Sequence, residues 1–425
     1  MRLIQSAIPK LMSDYRADRP SYERARPRVP DGSDSWPKPW VQLKYFSFHP
    51  NFYPNMIAAT NAVTGDVVTV MDKEGQPFGH GFFNPRARVP LRIFRHGAEP
   101  LEEGYLEKRI VNAITMRTDM LRLPETTDAF RAVHSDADGI PGLMVDKFAE
   151  VLSIEVSNAA IWQRVESWLP LLHEKLSTTH AVVHFDDNAS RAENLMPQRV
   201  MEDQARLTSG VAAVRIKENG VRFNVNFDSG HKTGFFCDQR DNRARFAAWT
   251  RGARVADVCC YTGGFSIAAK VLGGAEEVTG VDLDEKAIEV AKKNANLNNC
   301  RVSFVHADAF SWMRQMQRNG ETWGAVVLDP PKLIHSREGY EEGQAKYHDL
   351  NKLAMSLVEH GGLFLTCSCS GLMPVEAFEE IVIGLAHRNG RKLQILDRTG
   401  AGPDHPVMSN CPESRYLKTL WARVW

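Results

Sequence analysis

Residues 254–284 combine a glycine turn with a carboxylate at a spacing that could bind an adenosyl group. The run reads as a strand, the turn Thr262–Gly264, a helix, and a second strand that ends at Asp282. A tight glycine turn lets backbone approach a ligand, and an acid at the tip of the next strand can hold a ribose diol. A dinucleotide site would instead have G-x-G-x-x-G, with helix amides facing a pyrophosphate. Here Cys259 and Tyr261 stand where adenosyl loops often have glycines, which favours a cofactor without phosphates, such as S-adenosylmethionine.

Polar residues also follow each of the next predicted strands. An acid after a strand is often only a helix cap, and this is the alternative for Asp308. Five such sets would nevertheless meet at one edge of a parallel sheet, where ligands bind. The sets are residues 259–264, Asp282, 306–308, 329–332 and 367–371.

The fourth set, Asp329-Pro330-Pro331-Lys332, suggests a nucleobase as the substrate. Two prolines fix the backbone after the aspartate, so a planar base can lie against a rigid ledge. The pattern is common in enzymes that methylate nucleobases. The alternative is a proline turn that only ends a strand.

The fifth set contains Cys367 and Cys369, and a cysteine suggests methylation at carbon 5 of a pyrimidine. A thiolate that adds to carbon 6 makes carbon 5 enamine-like, and it is eliminated when carbon 5 loses its proton. Asp329 could stabilise the protonated ring nitrogen during the attack. We expect the alternation of the two cysteines to send their side chains to opposite faces of the strand, so that only one faces the base. The alternative for a strand cysteine is a small buried hydrophobic residue.

These sets together resemble the class I S-adenosylmethionine-dependent methyltransferases. From about residue 60 to the C-terminus, the chain is more narrowly similar to the large-subunit ribosomal RNA cytosine-carbon-5 methyltransferases that carry an N-terminal PUA domain (the RlmI family). The matching segments are 138–143 (DGIPGL), 230–235 (GHKTGF), 238–240 (DQR), 261–265 (YTGGF), 329–332 (DPPK), 368–373 (SCSGLM) and 404–407 (DHPV).

The resemblance implies a function and a role for each site residue. The cofactor would be S-adenosylmethionine, the substrate RNA and in particular ribosomal RNA, and the product 5-methylcytosine. Cys369 would be the nucleophile, since the family pattern is Ser-Cys-Ser-Gly, and Asp329 its catalytic partner. Asp282 would bind the ribose hydroxyls, Asp308 the adenine amino group, and the Gly263–Gly264 turn the methionine part.

Further cofactor contacts are expected from residues around the glycine turn and from the GHKTG and DQR segments. Their alternatives are a buried carboxylate that supports the loop, for Asp257, and surface salt bridges, for the GHKTG and DQR residues. The expected cofactor contacts are Lys232, Gln239, Arg240, Asp257, Tyr261, Thr262 and Asp329, and the expected substrate contacts are Pro330, Pro331 and Lys332.

Strands and helices alternate regularly in the second half of the chain, which predicts an α/β fold with a parallel, doubly wound sheet. The predicted strands are 254–259, 277–282, 302–306, 325–329 and 361–367, with helices at 265–272, 285–297, 309–318 and 344–359. Two more strands, 393–399 and 416–424, are expected as an antiparallel finish.

The first half of the chain divides by composition. We expect an Arg- and Pro-rich arm at residues 1–40, a PUA-like β-domain at 41–100 and an α+β domain at 101–205, with the methyltransferase domain at 206–425. Arginines 86, 88, 92 and 95 either face RNA or form a solvated face. The segment His49–Tyr53 departs from the His-Pro-Trp-Val-Phe-like signature that is usual in the family.

Composition sets the wider limits. The 425 residues hold 52 basic and 52 acidic side chains, so any basic RNA-binding surface must be local. Seven cysteines without C-x-x-C spacing, and no secretory or membrane-spanning pattern, lead us to expect a cytoplasmic protein without a metal site. The sequence leaves a homodimer open. The alternative functions are methylation of another base position, such as a guanine nitrogen, methylation of a small molecule, and RNA binding without catalysis.

Overall fold

The structure is a computed structural model that describes residues 30–227 and 234–425. Most of the predicted arm and Lys232 lie outside these ranges. The described residues form three β-sheets and a two-stranded hairpin, and helices pack against the second and third sheets.

The first sheet belongs to the predicted β-domain. Its strands are β1 (Trp40–Leu43), β2 (Asn51–Phe52), β3 (Ile57–Thr60), β4 (Asp66–Met71), β5 (Pro77–Phe83) and β6 (Leu91–His96). They lie in the order β2-β6-β5-β4-β1-β3, and only β1 and β4 pair in parallel. Val41, Phe52, Val68 and Leu91 are fully buried between them and form a small core of their own.

The second sheet and its helices form the expected α+β unit. The strands are β7 (Ala129–His134), β8 (Leu143–Phe148), β9 (Val151–Val156) and β10 (His180–Phe185), in the order β10-β9-β8-β7. The helices are α1 (Tyr105–Thr115), α2 (Ala159–Leu176), α3 (Asp187–Ala192) and α4 (Pro197–Leu207). The amphipathic pattern of α1 is confirmed, because Leu106, Ile110, Ala113 and Ile114 are all buried.

A hairpin joins this unit to the last sheet. Its strands, β11 (Ala213–Glu218) and β12 (Val221–Asn226), pair antiparallel with each other. Phe223 of the hairpin shares one apolar cluster with Phe148 of the second sheet and with Ile267 of the segment that follows the glycine turn. The second sheet is therefore packed against the predicted cofactor loop through the hairpin.

The third sheet has seven strands. They are β13 (Arg254–Val258), β14 (Glu277–Asp282), β15 (Ser303–His306), β16 (Trp323–Leu328), β17 (Val358–Ser368), β18 (Leu393–Thr399) and β19 (Lys418–Val424). The helices around it are α5 (Arg240–Ala248), α6 (Gly264–Val271), α7 (Glu285–Leu297), α8 (Ala309–Arg318), α9 (Tyr340–Ser356) and α10 (Val375–Arg388).

The strand order β15-β14-β13-β16-β17-β19-β18 confirms the predicted doubly wound sheet. The first five strands are parallel, and β19 and β18 close the sheet antiparallel as expected. The order reverses between β13 and β16, so a ligand crevice is expected at the carboxyl ends of these two strands.

One boundary prediction was wrong. The helical pattern that we extended to residue 359 ends at Ser356, and β17 already begins at Val358. Gly361 and Gly362 looked like a break before the strand. They lie inside it, where Gly361 has a φ of 79° and the pairing with β16 shifts register.

None of the helices in the described residues has both the length and the apolar character that crossing a membrane requires.

Candidate active site

The loop after β13 has the backbone conformation of a glycine loop without all of the glycines. Cys259, Tyr261 and Gly263 have φ angles of 65°, 48° and 83°. Residues other than glycine rarely adopt this left-handed backbone conformation, and residues held in it are concentrated at functional sites. Cys259 and Tyr261, which stand where adenosyl loops often have glycines, therefore have the left-handed backbone that glycine usually adopts.

Tight packing explains why Gly263 and Gly264 remain glycines. A Cβ on Gly263 would lie 2.9 Å from the Phe304 ring, and one on Gly264 would lie 2.9 Å from Cδ of Arg243. Thr262 is buried, and its carbonyl accepts a hydrogen bond of 3.1 Å from Asn294 Nδ2. The turn is thus fixed from both sides, as a preformed binding loop requires.

Asp257 supports this loop from beneath. Its Oδ2 accepts hydrogen bonds from the Ser266 amide at 2.8 Å and the Ser266 hydroxyl at 2.6 Å, which ties β13 to the first turn of α6. The side chain is fully buried, and this burial raises the pKa of Asp257 to about 7. These contacts are those of the supporting carboxylate that was the alternative for this residue.

Asp282 and Asp308 lie at the ends of neighbouring strands and are both partly exposed. Asp282 accepts from the amides of Tyr261 at 2.8 Å and Asp284 at 2.9 Å. Asp308 caps α8, and its Oδ1 accepts both hydrogen bonds from Ser311, at 2.9 Å each. Capping therefore engages one oxygen of Asp308, and the other oxygen can accept from a ligand.

Asp329 lies at the end of β16 in contact with Gln239. Gln239 Nε2 donates to Asp329 Oδ2 at 2.9 Å and approaches the sulfur of Cys367 at 3.6 Å. Burial first, and then the negative charge of Asp238, raise the pKa of Asp329 to about 7. Near neutral pH both the protonated and the ionised form of this carboxyl group are therefore accessible.

The two cysteines of the fifth set differ in depth. Cys367 is fully buried, and burial raises the pKa of its thiol well above the usual value. Cys369 follows the last residue of β17, is partly exposed, and has its sulfur 3.8 Å from the carbonyl oxygen of Pro330. Both pack in the same apolar cluster, as residues two apart on one strand should. Only Cys369 is accessible, because the strand ends before it rather than because the two face opposite sides.

Ser370 joins the Asp-Pro-Pro-Lys loop to the cysteine loop. Its hydroxyl accepts from the amides of Leu333 at 3.2 Å and Ile334 at 3.1 Å and is 2.9 Å from the Tyr347 hydroxyl. In the Asp-Pro-Pro-Lys loop itself, Pro330 is buried, whereas Pro331 and Lys332 are exposed. The exposed part of this ledge is therefore the part that could contact a substrate.

Ser370→Ala should lower both stability and turnover. Two amides would lose their acceptor, which costs about 1–3 kcal/mol, and the resulting play between the two loops should reduce kcat by about 10–100-fold. Ser356→Ala is the matched control, since that hydroxyl only bonds the Leu353 carbonyl at the end of α9. Steady-state kinetics in which both variants match the wild type would contradict this role.

A buried network of charged side chains fastens the second sheet to the third. Asp404 is fully buried and pairs with both terminal nitrogens of Arg240, at 2.9 and 3.0 Å. Its Oδ2 also accepts from the Arg131 amide, while its carbonyl oxygen accepts from Arg117, which pairs with Asp138. Arg240 was a candidate cofactor contact, but the structure engages it in this salt bridge, inside the protein and not on the surface.

Asp404→Asn should destabilise the protein by about 3–5 kcal/mol, since it leaves a buried guanidinium without its full counter-charge. Burial alone would raise the pKa of Asp404, but its interactions with His405 and Arg240 hold this pKa well below the usual range. The stabilisation is present above about pH 4 and is lost only as the pH falls through the depressed value. Urea unfolding should therefore give a constant difference between pH 6 and 8.

Asp397→Asn is the control for this prediction, since the Arg245–Asp397 pair is 39 and 42 % exposed. Exposed pairs contribute about 0–1 kcal/mol. Equal effects of the two substitutions would show that the buried network does not stabilise the interface.

One group of side chains could suggest a metal. Ligand atoms of His49, Cys411 and Glu413 lie within 4.8 Å of one another. His49 Nε2 is 2.7 Å from Glu413 and its Nδ1 accepts from the Asn51 amide, while burial raises the pKa of Cys411 to about 12. Hydrogen bonds within the protein account for this arrangement.

Two site residues were not among the predicted contacts, although Asp238 belongs to the DQR segment. Asp238 is buried beside Asp329 and accepts from the Tyr416 hydroxyl at 2.6 Å. Lys418 is 3 % exposed at the start of β19 and bonds to the Ser370 carbonyl oxygen. A lysine among the apolar residues of a predicted strand was the only hint of the latter. Lys232, predicted on the cofactor side, lies outside the described residues.

Comparisons with known proteins bear on the fold and the family of the chain. A family model described as S-adenosylmethionine-dependent methyltransferase matches residues 182–420, and one described as PUA-like domain matches residues 39–96. A methyltransferase from Streptococcus mutans has the same fold, with a TM-score of 0.73 and 19% identity over 90% of this chain and 99% of that one. A second solved structure, SMU.776, is complexed with SAH and has a TM-score of 0.73 at 20% identity over the same shares of the two chains.

The sheet, its strand-end residues and the matching family model define a methyltransferase that uses S-adenosylmethionine. "Ribosomal RNA large subunit methyltransferase I" of Alteromonas mediterranea is 32% identical over 88% of this chain and 95% of its own length. The protein of the same name from Shewanella frigidimarina is 34% identical over 89% and 96%. The chain belongs to the family of these ribosomal RNA large subunit methyltransferases I.

Proposed function

We propose that the protein methylates carbon 5 of a cytosine in RNA, in large-subunit ribosomal RNA in particular. The observation that carries the proposal is the accessible thiol of Cys369 beside Pro330, the residue after Asp329. A nitrogen methyltransferase needs no such thiol, since its target atom is already nucleophilic. The names of the relatives support ribosomal RNA as the substrate.

In this proposal Cys369 activates the pyrimidine. Its thiolate forms a bond to carbon 6, and the electron pair of the double bond between carbons 5 and 6 moves into the ring. S-adenosylmethionine, when bound, would supply the methyl group to carbon 5, and its sulfur would keep the electron pair of the broken sulfur–methyl bond as S-adenosylhomocysteine. Loss of the carbon 5 proton to a base then restores the double bond and expels the Cys369 thiolate.

Asp329 moves the second proton. In its neutral form it donates to ring nitrogen 3 as the thiolate adds, and it recovers that proton when the thiolate leaves. The raised pKa of Asp329 makes this form available near pH 7. Gln239 donates a hydrogen bond to Oδ2 of Asp329 and holds the carboxyl group in place.

S-adenosylmethionine fits the residues at the ends of β13 to β15. Asp282 has lone pairs for a ribose diol, and the second oxygen of Asp308 can accept from the adenine amino group. The left-handed loop Tyr261–Gly264 gives the methionine part close access to backbone. Asp257 contributes by holding that loop, and Lys232 is an additional proposed contact.

Exposed aromatic rings and arginines support an RNA-binding surface on the PUA-like part of the chain. Phe46 and Phe48, in the loop between β1 and β2, are 62 and 60 % exposed and pack edge to face, with ring centroids 4.6 Å apart. The Phe48 carbonyl oxygen accepts a hydrogen bond from Asn410 Nδ2, which ties this segment to the methyltransferase part of the chain. Exposed aromatic rings stack on unpaired bases. Arg86 and Arg88 are exposed and can contact phosphate, whereas Arg92 is neutralised by buried Glu193.

RNA that contains 5-fluorocytosine tests this function. Fluorine cannot leave carbon 5 as a proton does, so the methylated Cys369 adduct should persist as a covalent protein–RNA complex that needs S-adenosylmethionine. Cys369→Ala should give no complex, and Cys367→Ala should still give one. Methyl transfer to ordinary RNA without any trapped complex would support methylation of another atom instead.

A further inference from the structure

Lys418 is a buried cation next to the nucleophile loop. Its side chain is 3 % exposed, and its ammonium donates to the carbonyl oxygens of Ser370 at 2.5 Å and Tyr416 at 2.9 Å. Within residues 30–227 and 234–425, no carboxylate lies within 4.0 Å of this nitrogen. Burial of an ammonium without a counter-ion is unfavourable, so its position calls for an explanation beyond packing.

Strand pairing places this ammonium beside the loop that contains Cys369. The antiparallel register of β17 and β19 sets Lys418 opposite Ser368, so its side chain can reach the segment that follows Ser368. It contacts the carbonyl of Ser370, the residue after Cys369. Burial lowers the pKa of Lys418 to about 8, and a negative charge on Cys369 acts in the opposite direction. The ammonium is thus charged at neutral pH and interacts electrostatically with the thiol of Cys369.

Two other titratable groups of the described residues interact with Cys369. They are Tyr347 and Cys367, and burial raises the pKa of Tyr347 to about 12 and that of Cys367 well above its usual value. Both are therefore neutral near pH 7. Arg415 faces Lys418 and repels its charge.

We propose that Lys418 is a positioning residue that stabilises the thiolate of Cys369 through its charge and holds the Cys369–Ser370 loop through its hydrogen bonds. The inference rests on the proposed function, in which Cys369 is the nucleophile. It adds a cation to the site that makes the thiolate available at neutral pH, as positive neighbours do for reactive cysteines in general.

The reactivity of Cys369 in the free enzyme tests this role. Iodoacetamide reacts with thiolate, which displaces iodide to form a carbon–sulfur bond, and mass spectrometry of the peptide that contains Cys369 isolates its rate from those of the other cysteines. In Lys418→Met we expect the midpoint of the pH–rate curve to rise by about one pH unit and the rate at pH 7 to fall about tenfold. Lys418→Arg should keep the wild-type midpoint.

A folded Lys418→Met protein with the wild-type midpoint would overturn the inference and leave Lys418 a structural residue. If Lys418→Met does not fold, Lys418→Gln, which can still donate to the two carbonyl oxygens, allows the same comparison. The measurement uses no RNA, so its outcome is separate from that of the proposed function. Full methyl transfer by Cys369→Ala would refute the proposed function. If Cys369 is essential but its reactivity does not change in Lys418→Met, the inference alone is refuted.

Discussion

Cys369→Ala is expected to reduce methyl transfer to RNA by roughly 10⁴-fold or more, the scale on which removal of a nucleophile abolishes covalent catalysis. Without the thiolate at carbon 6, carbon 5 of cytosine is not nucleophilic enough to accept a methyl group. Affinity for S-adenosylmethionine should not change, because the described residues proposed to bind it lie at the carboxyl ends of β13 to β15 and not at the end of β17. Transfer of a labelled methyl group and calorimetric cofactor titration measure the two effects.

Cys367→Ala is the matched control for this prediction. Cys367 is fully buried two residues earlier on the same strand, so its loss should leave a small cavity and most of the activity. Full activity of Cys369→Ala, or inactivity of Cys367→Ala with unchanged folding, would contradict the assignment of the nucleophile.

Asp329→Asn is expected to lower kcat by about 10²–10⁴-fold, because an amide of the same shape cannot pass a proton to and from the ring nitrogen. The wild-type enzyme should also lose activity as the pH rises above the Asp329 pKa of about 7. Above that pH the carboxylate keeps its charge and has no proton to donate. The pH profile of kcat in wild type and variant measures this effect.

A measurement of folding stability distinguishes a catalytic defect of Asp329→Asn from unfolding of the variant. The folded protein retains the Asp329 proton up to about pH 7, whereas an unfolded chain releases it near pH 4. The ionised carboxylate therefore destabilises the folded state at higher pH, and Asp329→Asn should be at least as stable as wild type at pH 8. A variant that is inactive and also less stable at pH 8 would contradict the buried-acid explanation.

Much of the fold could be predicted because its signals are local. The strands of the third sheet and the buried face of α1 follow from residue periodicity, and the strand-end carboxylates follow from the alternation of strands and helices. The start of β17 was missed because Gly361 and Gly362 resemble a loop in the sequence, whereas the register shift with β16 absorbs them within the strand.

The missed parts of the site depend on contacts between distant residues. Lys418 reaches Ser370 only because β19 returns antiparallel beside β17, and no local pattern records that register. Asp238 raises the pKa of Asp329, although the two residues are 91 positions apart in the chain. Arg240 forms a salt bridge with Asp404, which is also distant in the sequence. The depth of Cys367 relative to Cys369 depends on where β17 ends, which spacing alone does not give.

Tritium release from RNA labelled at carbon 5 of cytosine tests the central claim most directly. Methylation at carbon 5 must expel that hydrogen, so each methyl group transferred from S-adenosylmethionine should release one tritium to water. We expect this one-to-one ratio with wild type and neither signal with Cys369→Ala. Methyl transfer without tritium release would show that another atom is the target and that Cys369 is not a nucleophile.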